Sequence, residues 1–177
     1  PDIIAGQGTI GLELIRQASA RAAALDVVVA PIGGGGLMAG LSTAVKSLSP
    51  TTAIVGVEPE GFDDTLRSLQ KGERINIKPT TRSLCDALES PAPGELTFPV
   101  LQKNLADVAV VSDAEVAEAM RYAFAVLKLV VEPGGAVGLA ALLAGKVQTW
   151  GEGVTGLVLS GGNVDPELFA RVLRREI

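Results

Sequence analysis

The fold is decided by a stretch that reads Asp26-Val-Val-Val-Ala-Pro-Ile-Gly-Gly-Gly-Gly-Leu-Met-Ala-Gly40. Its first part, residues 27–32, is apolar and rich in β-branched side chains, which predicts a buried parallel strand. Four consecutive glycines follow, and an apolar, helix-like pattern begins at Leu37. A glycine turn between a strand and a helix exposes backbone N–H groups at the helix N-terminus, where they can bind an anion. The stretch therefore favours a phosphate-binding loop over a turn that binds nothing.

Two common nucleotide-binding motifs are absent from this loop. The sequence contains no G-x-x-x-x-G-K-[ST], which argues against a nucleoside triphosphate loop. No G-x-G-x-x-G stands in register with the end of the strand, which argues against a dinucleotide fingerprint. Because the loop has no Lys or Arg, a phosphate bound here would be held by backbone amides alone.

Composition narrows the class of protein further. The 177 residues carry a net charge of −5 with no basic block, so nucleic acid is not an expected partner. No apolar run is long enough to span a bilayer, and no signal peptide is recognisable. The single cysteine, Cys85, indicates a reducing compartment, and we expect the cytoplasm. The absence of histidine removes the commonest metal ligand and the commonest general base. Since Pro1 is not an initiator residue, we expect a processed or truncated chain.

The rest of the chain alternates between strand and helix patterns. Further strands are predicted over 53–57, 107–111 and 154–159, with helices over 6–24, 65–71 and 113–128 among those between and around them. Ser112 and Glu115 form a capping box at the start of one helix. The alternation predicts one α/β domain over residues 1–177, built on a twisted parallel sheet with helices on both faces.

Three predicted strands are followed by segments that are unusual at the end of a strand. These segments are the four glycines, an acidic cluster, and a Ser-Gly-Gly-Asn segment. Ligands of open α/β sheets bind beyond the carboxyl ends of the strands, so these ends could form one site. The hydroxyl of Ser160 could bond a heteroaromatic nitrogen or only satisfy its own turn. The acidic cluster around Glu58 and Asp64 suits a hard cation, but it could equally be a solvated turn in which Asp63 or Asp64 caps a helix. Glu132 could face a ligand or simply lie near a helix start.

Together these motifs resemble the fold-type II, tryptophan-synthase-β-like pyridoxal-phosphate enzymes, specifically the threonine dehydratase and serine racemase family. The resemblance is carried by Ile4-Ala-Gly-Gln-Gly-Thr9, Pro31-Ile-Gly-Gly-Gly-Gly36, Glu58-Pro59, Glu132-Pro133 and Ser160-Gly-Gly-Asn163, in the family's order and spacing. These motifs extend over nearly the whole chain.

The resemblance implies a cofactor site and a cation site. It implies that pyridoxal 5′-phosphate is bound by Gly33, Gly34, Gly35, Gly36, Leu37, Met38, Ala87, Glu132, Ser160 and Gly161. In this assignment residues 33–38 bind the phosphate through backbone N–H groups, Ser160 bonds the pyridine nitrogen and Glu132 lines the pocket. Ala87 is a departure, because many relatives have glycine there. A Mg²⁺ or Ca²⁺ ion is implied at Glu58, the Phe62 carbonyl and Asp64.

The resemblance also implies what the chain lacks. None of its six lysines lies in the family's Schiff-base motif, and the small substrate domain precedes everything present here. The chain therefore resembles the C-terminal half of a homo-oligomeric threonine or serine ammonia-lyase, inactive without its N-terminal half. A serine racemase or a hydroxyaspartate ammonia-lyase would share the motifs. The alternative from another class is a non-catalytic half-protein that binds an anion.

Overall fold

A computed structural model describes residues 1–148 and 153–177. Within these ranges the strands are β1 (Leu25–Pro31), β2 (Ala53–Pro59), β3 (Asp107–Val111) and β4 (Val154–Leu157). They form a parallel sheet in the order β3-β2-β1-β4. Because β1 lies between β2 and β4, the segments that follow these three strands leave the sheet side by side.

Helices cover both faces of the sheet, as the sequence pattern predicts. They are α1 (Asp2–Ser19), α2 (Gly36–Leu48), α3 (Asp64–Lys71), α4 (Phe98–Asn104), α5 (Asp113–Tyr122), α6 (Pro133–Leu143) and α7 (Pro166–Leu173). Asp86–Leu88 form a 3₁₀ turn, and Ala123–Leu127 form a π-helical turn. None of the helices in the described ranges is long and apolar enough to cross a membrane.

Alternate strand residues supply two apolar cores. Val28 and Ile54 pack in the core formed with α1, α2 and α4. Val29 and Val57 pack on the opposite face, in the core formed with α5, α6 and α7. A strand buried on both faces needs apolar residues at every position, which explains the uninterrupted run in β1. The predicted α/β fold with a doubly covered parallel sheet is confirmed.

Helix α1 begins earlier than the sequence pattern indicates, at Asp2 instead of Gly6, and ends at Ser19 instead of near residue 24. Its glycines do not break it, because they let its backbone touch that of α2. A Cβ placed on Gly40 would lie 2.6 Å from the amide nitrogen of Gly8, and one on Gly11 would lie 2.8 Å from the carbonyl oxygen of Leu41. Close tertiary packing outweighs the low helix propensity of glycine here.

The helix predicted over 113–128 is shorter than expected. Its start is confirmed, since the Ser112 hydroxyl accepts from the Glu115 amide and the Glu115 carboxylate accepts from the Ser112 amide. The α-helix ends at Tyr122, and the π-helical turn that follows stops at Lys128, whose φ is +61°. This left-handed residue turns the chain toward the segment that follows β4.

Candidate functional site

The glycine loop forms the N-terminus of α2. Gly35 is the N-cap residue and has a φ of +87°, a conformation that favours glycine. Its carbonyl accepts from the Ala39 amide at 2.8 Å, which starts the helix. The N–H groups of residues 33–38 donate to no acceptor among the residues that the structure describes. A run of free amides at a helix N-terminus is the arrangement that binds phosphate.

The segment that leads into α4 holds the glycine loop through hydrogen bonds to the Gly34 carbonyl. The Thr97 hydroxyl donates to the Gly34 carbonyl at 2.7 Å, and the Gly94 amide donates to the same oxygen at 3.1 Å. A Cβ on Gly35 would lie only 2.8 Å from the Thr97 hydroxyl oxygen. Sequence reasoning missed Thr97, because no local motif connects it with a loop more than sixty residues away.

Gly34 differs from its neighbours because it is exposed and has free space. A Cβ at this position would meet nothing closer than the Ser90 hydroxyl oxygen, at 4.0 Å. The protein itself would therefore tolerate a side chain at Gly34. A ligand bound close to the backbone would not.

Ala87 lies between the glycine loop and the start of α6. A Cβ on Gly33 would be 3.3 Å from the Ala87 carbonyl oxygen, and a Cβ on Gly134 would be 3.6 Å from the Ala87 Cβ. The Ala87 side chain is exposed, and its amide donates to the Asp86 carboxylate at 2.8 Å. The methyl group that distinguishes this residue from glycine thus lies at the rim of the loop.

The segment after β4 packs against the N-cap of α6. The Glu132 amide donates to the Gly161 carbonyl at 3.0 Å, and a Cβ on Gly161 would overlap the Glu132 carboxylate. A Cβ on Gly135 would lie 2.8 Å from the Gly161 carbonyl oxygen. Ser160, the residue before Gly161, is exposed and makes no hydrogen bond to any residue in the described ranges. Its hydroxyl is available to a ligand.

Close approaches of the backbone bring these predicted site residues into one region. The glycine loop lies close to Ala87, Ala87 lies close to Gly134 at the start of α6, and Gly135 of α6 lies close to Gly161, since a Cβ added to these glycines would meet those neighbours. The Val158 amide donates to the Val29 carbonyl at 3.0 Å, so the ends of β1 and β4 lie side by side. The structure thus brings residues 33–38, Ala87, Glu132, Ser160 and Gly161 to one edge of the sheet.

The acidic cluster lies at the end of β2, on the other side of β1. The Glu58 carboxylate is buried and accepts from the Thr65 and Leu66 amides at 2.9 and 3.0 Å, so it caps α3. Asp63 occupies the N-cap position, as one of the sequence alternatives expected, but its side chain makes no capping hydrogen bond, and Glu58 provides those acceptors instead. The Asp63 carboxylate pairs with Arg67, at 2.8 Å.

Asp64 is a buried carboxyl group without a partner. Neither of its side-chain oxygens has a hydrogen bond, and the side chain is almost fully buried. Burial, together with the nearby Glu58 charge, raises the pKa of Asp64 to about 8. Burial likewise raises the pKa of Glu58 to about 7. The Phe62 carbonyl receives no hydrogen bond from the described residues.

The described ranges contain no group of three or more Asp, Glu, His or Cys side chains arranged to bind a metal. Two carboxylates and one carbonyl would be only part of a cation's ligands, and waters would have to complete the shell. Cys85 offers no alternative chemistry, because burial raises the pKa of its thiol to about 12.

The chain matches known proteins over nearly all of its length. Residues 1–161 match the family model described as pyridoxal-phosphate dependent enzyme. The chain is 41% identical to an L-threo-3-hydroxyaspartate ammonia-lyase of Pseudomonas sp. over 98% of its own length and 53% of that protein. It is 39% identical to the L-threonine ammonia-lyase of Thermotoga maritima, over 99% of this chain and 42% of that protein.

Solved structures of similar enzymes also match this chain over nearly all of its length. A T.th. threonine deaminase superposes with a TM-score of 0.87 at 46% identity, covering 92% of this chain and 57% of that one. The maize serine racemase superposes with a TM-score of 0.84 at 37% identity, covering 98% of this chain and 52% of that one. The chain thus spans about half the length of the relatives it matches. In sequence and in fold, this chain belongs to the pyridoxal-phosphate dependent enzyme family.

Proposed function

We propose that this chain supplies the phosphate cradle and the ring contact for pyridoxal 5′-phosphate in an ammonia-lyase that acts on threonine or serine. The observation that carries the proposal is the run of unpaired amides over residues 33–38 at the start of α2. These amides and the helix dipole would bind the phosphate dianion without a basic side chain.

The other residues at this edge would orient the ring. Ser160 has a free hydroxyl that can bond the pyridine nitrogen, and a hydroxyl leaves that nitrogen less protonated than a carboxylate would. Glu132 is held over Gly161 and would line the pocket. Ala87 lies at the rim, where its methyl group would limit the space beside the ring. When bound, the cofactor supplies an electron sink for the substrate's α-carbon.

The reaction needs a second contribution. None of the six lysines lies in the Schiff-base motif of the family, so we infer that the other half of the polypeptide supplies that lysine and the substrate-carboxylate contacts. The relatives include serine racemases and hydroxyaspartate ammonia-lyases, which would use the same cradle. Threonine or serine elimination is favoured by the threonine deaminase at 46% identity.

We infer a cation site beside the cofactor edge. The unpartnered oxygens of Asp64, the Glu58 carboxylate and the free Phe62 carbonyl fit Mg²⁺ or Ca²⁺, which take oxygen ligands. Here the cation would neutralise two buried acids and thereby stabilise the turn that leads into α3.

The test measures binding of pyridoxine 5′-phosphate, which has no aldehyde and cannot react with surface lysines. Gly34→Val should weaken its binding by at least about tenfold, or about 1.4 kcal/mol, because the side chain occupies the path of the phosphate. Calorimetric titration of the folded variant gives the affinity directly.

Gly6→Val is the matched control, since a Cβ there has nothing within 4 Å and Gly6 lies in α1, outside the loop. Its affinity should equal that of the unmodified chain. Pyridoxine without the phosphate should bind more weakly to all three proteins. Equal affinity of the Gly34 and Gly6 variants for pyridoxine 5′-phosphate would overturn the proposal.

A further inference from the structure

The segment that carries Ala87 has little regular structure of its own. Residues 72–97, all of which the structure describes, contain one regular element, the 3₁₀ turn Asp86–Leu88. Cys85 and Leu88 are buried in the core formed with α5, α6 and α7, whereas Ala87 is exposed. Apolar packing is non-directional, so it fixes the depth of this turn better than its exact position. The position of Ala87 therefore depends on directional bonds as well.

Asp113 supplies such bonds from α5. It is the first residue of that helix, directly after the N-cap. Its Oδ1 accepts from the Ser83 hydroxyl at 2.7 Å, and both of its carboxylate oxygens accept from the Leu84 amide at 3.1 Å. The Ser83 hydroxyl in turn accepts from the Cys85 amide at 3.1 Å. Because hydrogen bonds have preferred distances and angles, this carboxylate fixes the backbone that enters the turn.

The turn that Asp113 holds lies against the glycine loop. A Cβ on Gly33 would be 3.3 Å from the Ala87 carbonyl oxygen and 3.4 Å from the Leu88 Cα. On the side of α6, a Cβ on Gly134 would be 3.2 Å from the Leu88 Cγ. The turn thus fits closely between the loop and α6. A small shift of the turn would change the space that the Ala87 methyl group leaves beside the loop.

We propose that Asp113 is a positioning residue for the cofactor, which fixes the Ala87 methyl group at the rim of the glycine loop and so sets the room for the pyridine ring. The inference rests on the proposed function, because the ring is what this rim would meet. Asp113 would not touch the cofactor, since its carboxylate is bonded to Ser83 and Leu84. Binding residues have to be held within about 0.5 Å by supporting hydrogen bonds, and Asp113 gives this support to the turn.

Asp113→Asn tests the proposal, because it keeps the size of the side chain and replaces one accepting oxygen by an amino group that cannot accept. In the cofactor-free chain, hydrogen exchange at the Leu84 and Cys85 amides should become at least about tenfold faster, because the turn opens more often. Calorimetry should show pyridoxine 5′-phosphate bound at least about fivefold more weakly. Both are measured well below the melting temperature of each variant.

Asp26→Asn is the matched control. The Asp26 carboxylate also joins two distant segments, since it accepts from the Val154 amide at 2.7 Å. It lies near the start of β1, at the opposite end of the strand from the glycine loop. This substitution should change neither the exchange at Leu84 nor the affinity. If Asp113→Asn does not fold, Ser83→Ala replaces it, removes one of the bonds to Asp113 and should give smaller changes of the same kind.

Ala87→Gly separates positioning from a general loss of stability. If Asp113 acts through the Ala87 methyl group, removing that group should reduce the effect of Asp113→Asn on affinity to less than about twofold, because coupled residues do not act additively. An equal loss of affinity with alanine and with glycine at position 87 would overturn the proposal.

Unchanged exchange at Leu84, or unchanged affinity, in Asp113→Asn would also overturn it. The positioning and the proposed function fail in different ways. An unmodified chain that does not bind pyridoxine 5′-phosphate would refute the proposed function and the positioning with it. Binding that is weakened by Gly34→Val and unaffected by Asp113→Asn would refute the positioning alone.

Discussion

Gly34 and Gly35 are adjacent and serve different purposes. Gly35 is required by its left-handed φ of +87° and by the Thr97 hydroxyl, which leaves no room for a Cβ. Gly34 has neither constraint, so within the protein its missing side chain leaves open space. The sequence shows four equal glycines, and only the structure separates those needed for the turn from the one that leaves room for a ligand.

Thr97 is the residue that sets the shape of this loop. Thr97→Val removes a buried hydroxyl that donates to the Gly34 carbonyl at 2.7 Å while keeping the side-chain volume. We expect a loss of about 1–2 kcal/mol in the free energy of unfolding, the usual cost of leaving a buried acceptor with fewer donors. We also expect weaker pyridoxine 5′-phosphate binding. Urea unfolding and calorimetry measure the two effects.

Thr9→Val is the control, because the Thr9 hydroxyl donates to the Gly6 carbonyl at 2.7 Å on the exposed surface of α1. It should change stability little and binding not at all. Equal effects of the two substitutions would show that Thr97 has no special part in holding the loop.

Among the elements, β2 and α3 form a unit held together by buried acids. Glu58, the residue before the end of the strand, caps the helix, and Asp64 lies in the first turn of that helix. Both carboxyl groups have pKa values raised above those of the unfolded chain. Each group therefore keeps its proton to a higher pH in the folded chain than in the unfolded chain. Between the unfolded-chain pKa and the folded-chain pKa of each group, the unfolded chain binds fewer protons. The free energy of unfolding then falls as pH rises.

Without a divalent cation, we expect these two groups to lower stability progressively from about pH 4 to about pH 8. Asp64→Asn should remove much of this loss and stabilise the chain at pH 8. Mg²⁺ or Ca²⁺ should stabilise the unmodified chain more at pH 8 than at pH 6, because a cation binds the ionised form. Thermal unfolding across this pH range measures both effects.

The exposed Asp2→Asn substitution in α1 is the control and should leave the pH dependence unchanged. Identical melting temperatures with chelator and with millimolar cation at pH 8 would contradict the cation site. In that case Asp64 would be a buried acid that simply retains its proton.

Elements whose signals are local were predictable from sequence. The Ser112 capping box and the strand over 107–111 match the structure, because each is defined by neighbouring residues. The start of α1 was not predictable, since its glycines resemble helix breakers until their contact with α2 is known. Thr97 was missed for the same reason, because its bond to Gly34 depends on tertiary structure.

At the scale of the whole molecule, the proposed cofactor residues lie together at one edge of the sheet. The loop after β1, the start of α6 and the segment after β4 approach one another closely there. The sequence predicted that unusual strand ends would meet, because carboxyl ends of parallel strands share one edge. It could not predict the bonds from Ser83 and Leu84 to Asp113, because these residues are far apart in sequence.

By itself the chain should be catalytically silent. Incubated with threonine and pyridoxal 5′-phosphate, it should form 2-oxobutanoate no faster than the free cofactor does, because no lysine lies in the Schiff-base motif. A joined polypeptide, in which the unmatched part of the T.th. threonine deaminase precedes these 177 residues, is the positive control and should form it. Turnover by the chain alone clearly above the free cofactor would contradict the assignment of the lysine to the other half.

The central claim is that the amides of residues 33–38 bind the cofactor phosphate, and an amide-resolved NMR titration tests it most directly. Added pyridoxine 5′-phosphate should shift the ¹⁵N–¹H signals of Gly33, Gly34, Gly35, Gly36, Leu37 and Met38 together and saturably, with a smaller shift at Ser160. Pyridoxine without phosphate should leave the loop signals nearly unchanged. Saturable shifts elsewhere, with the signals of residues 33–38 unmoved, would contradict the account.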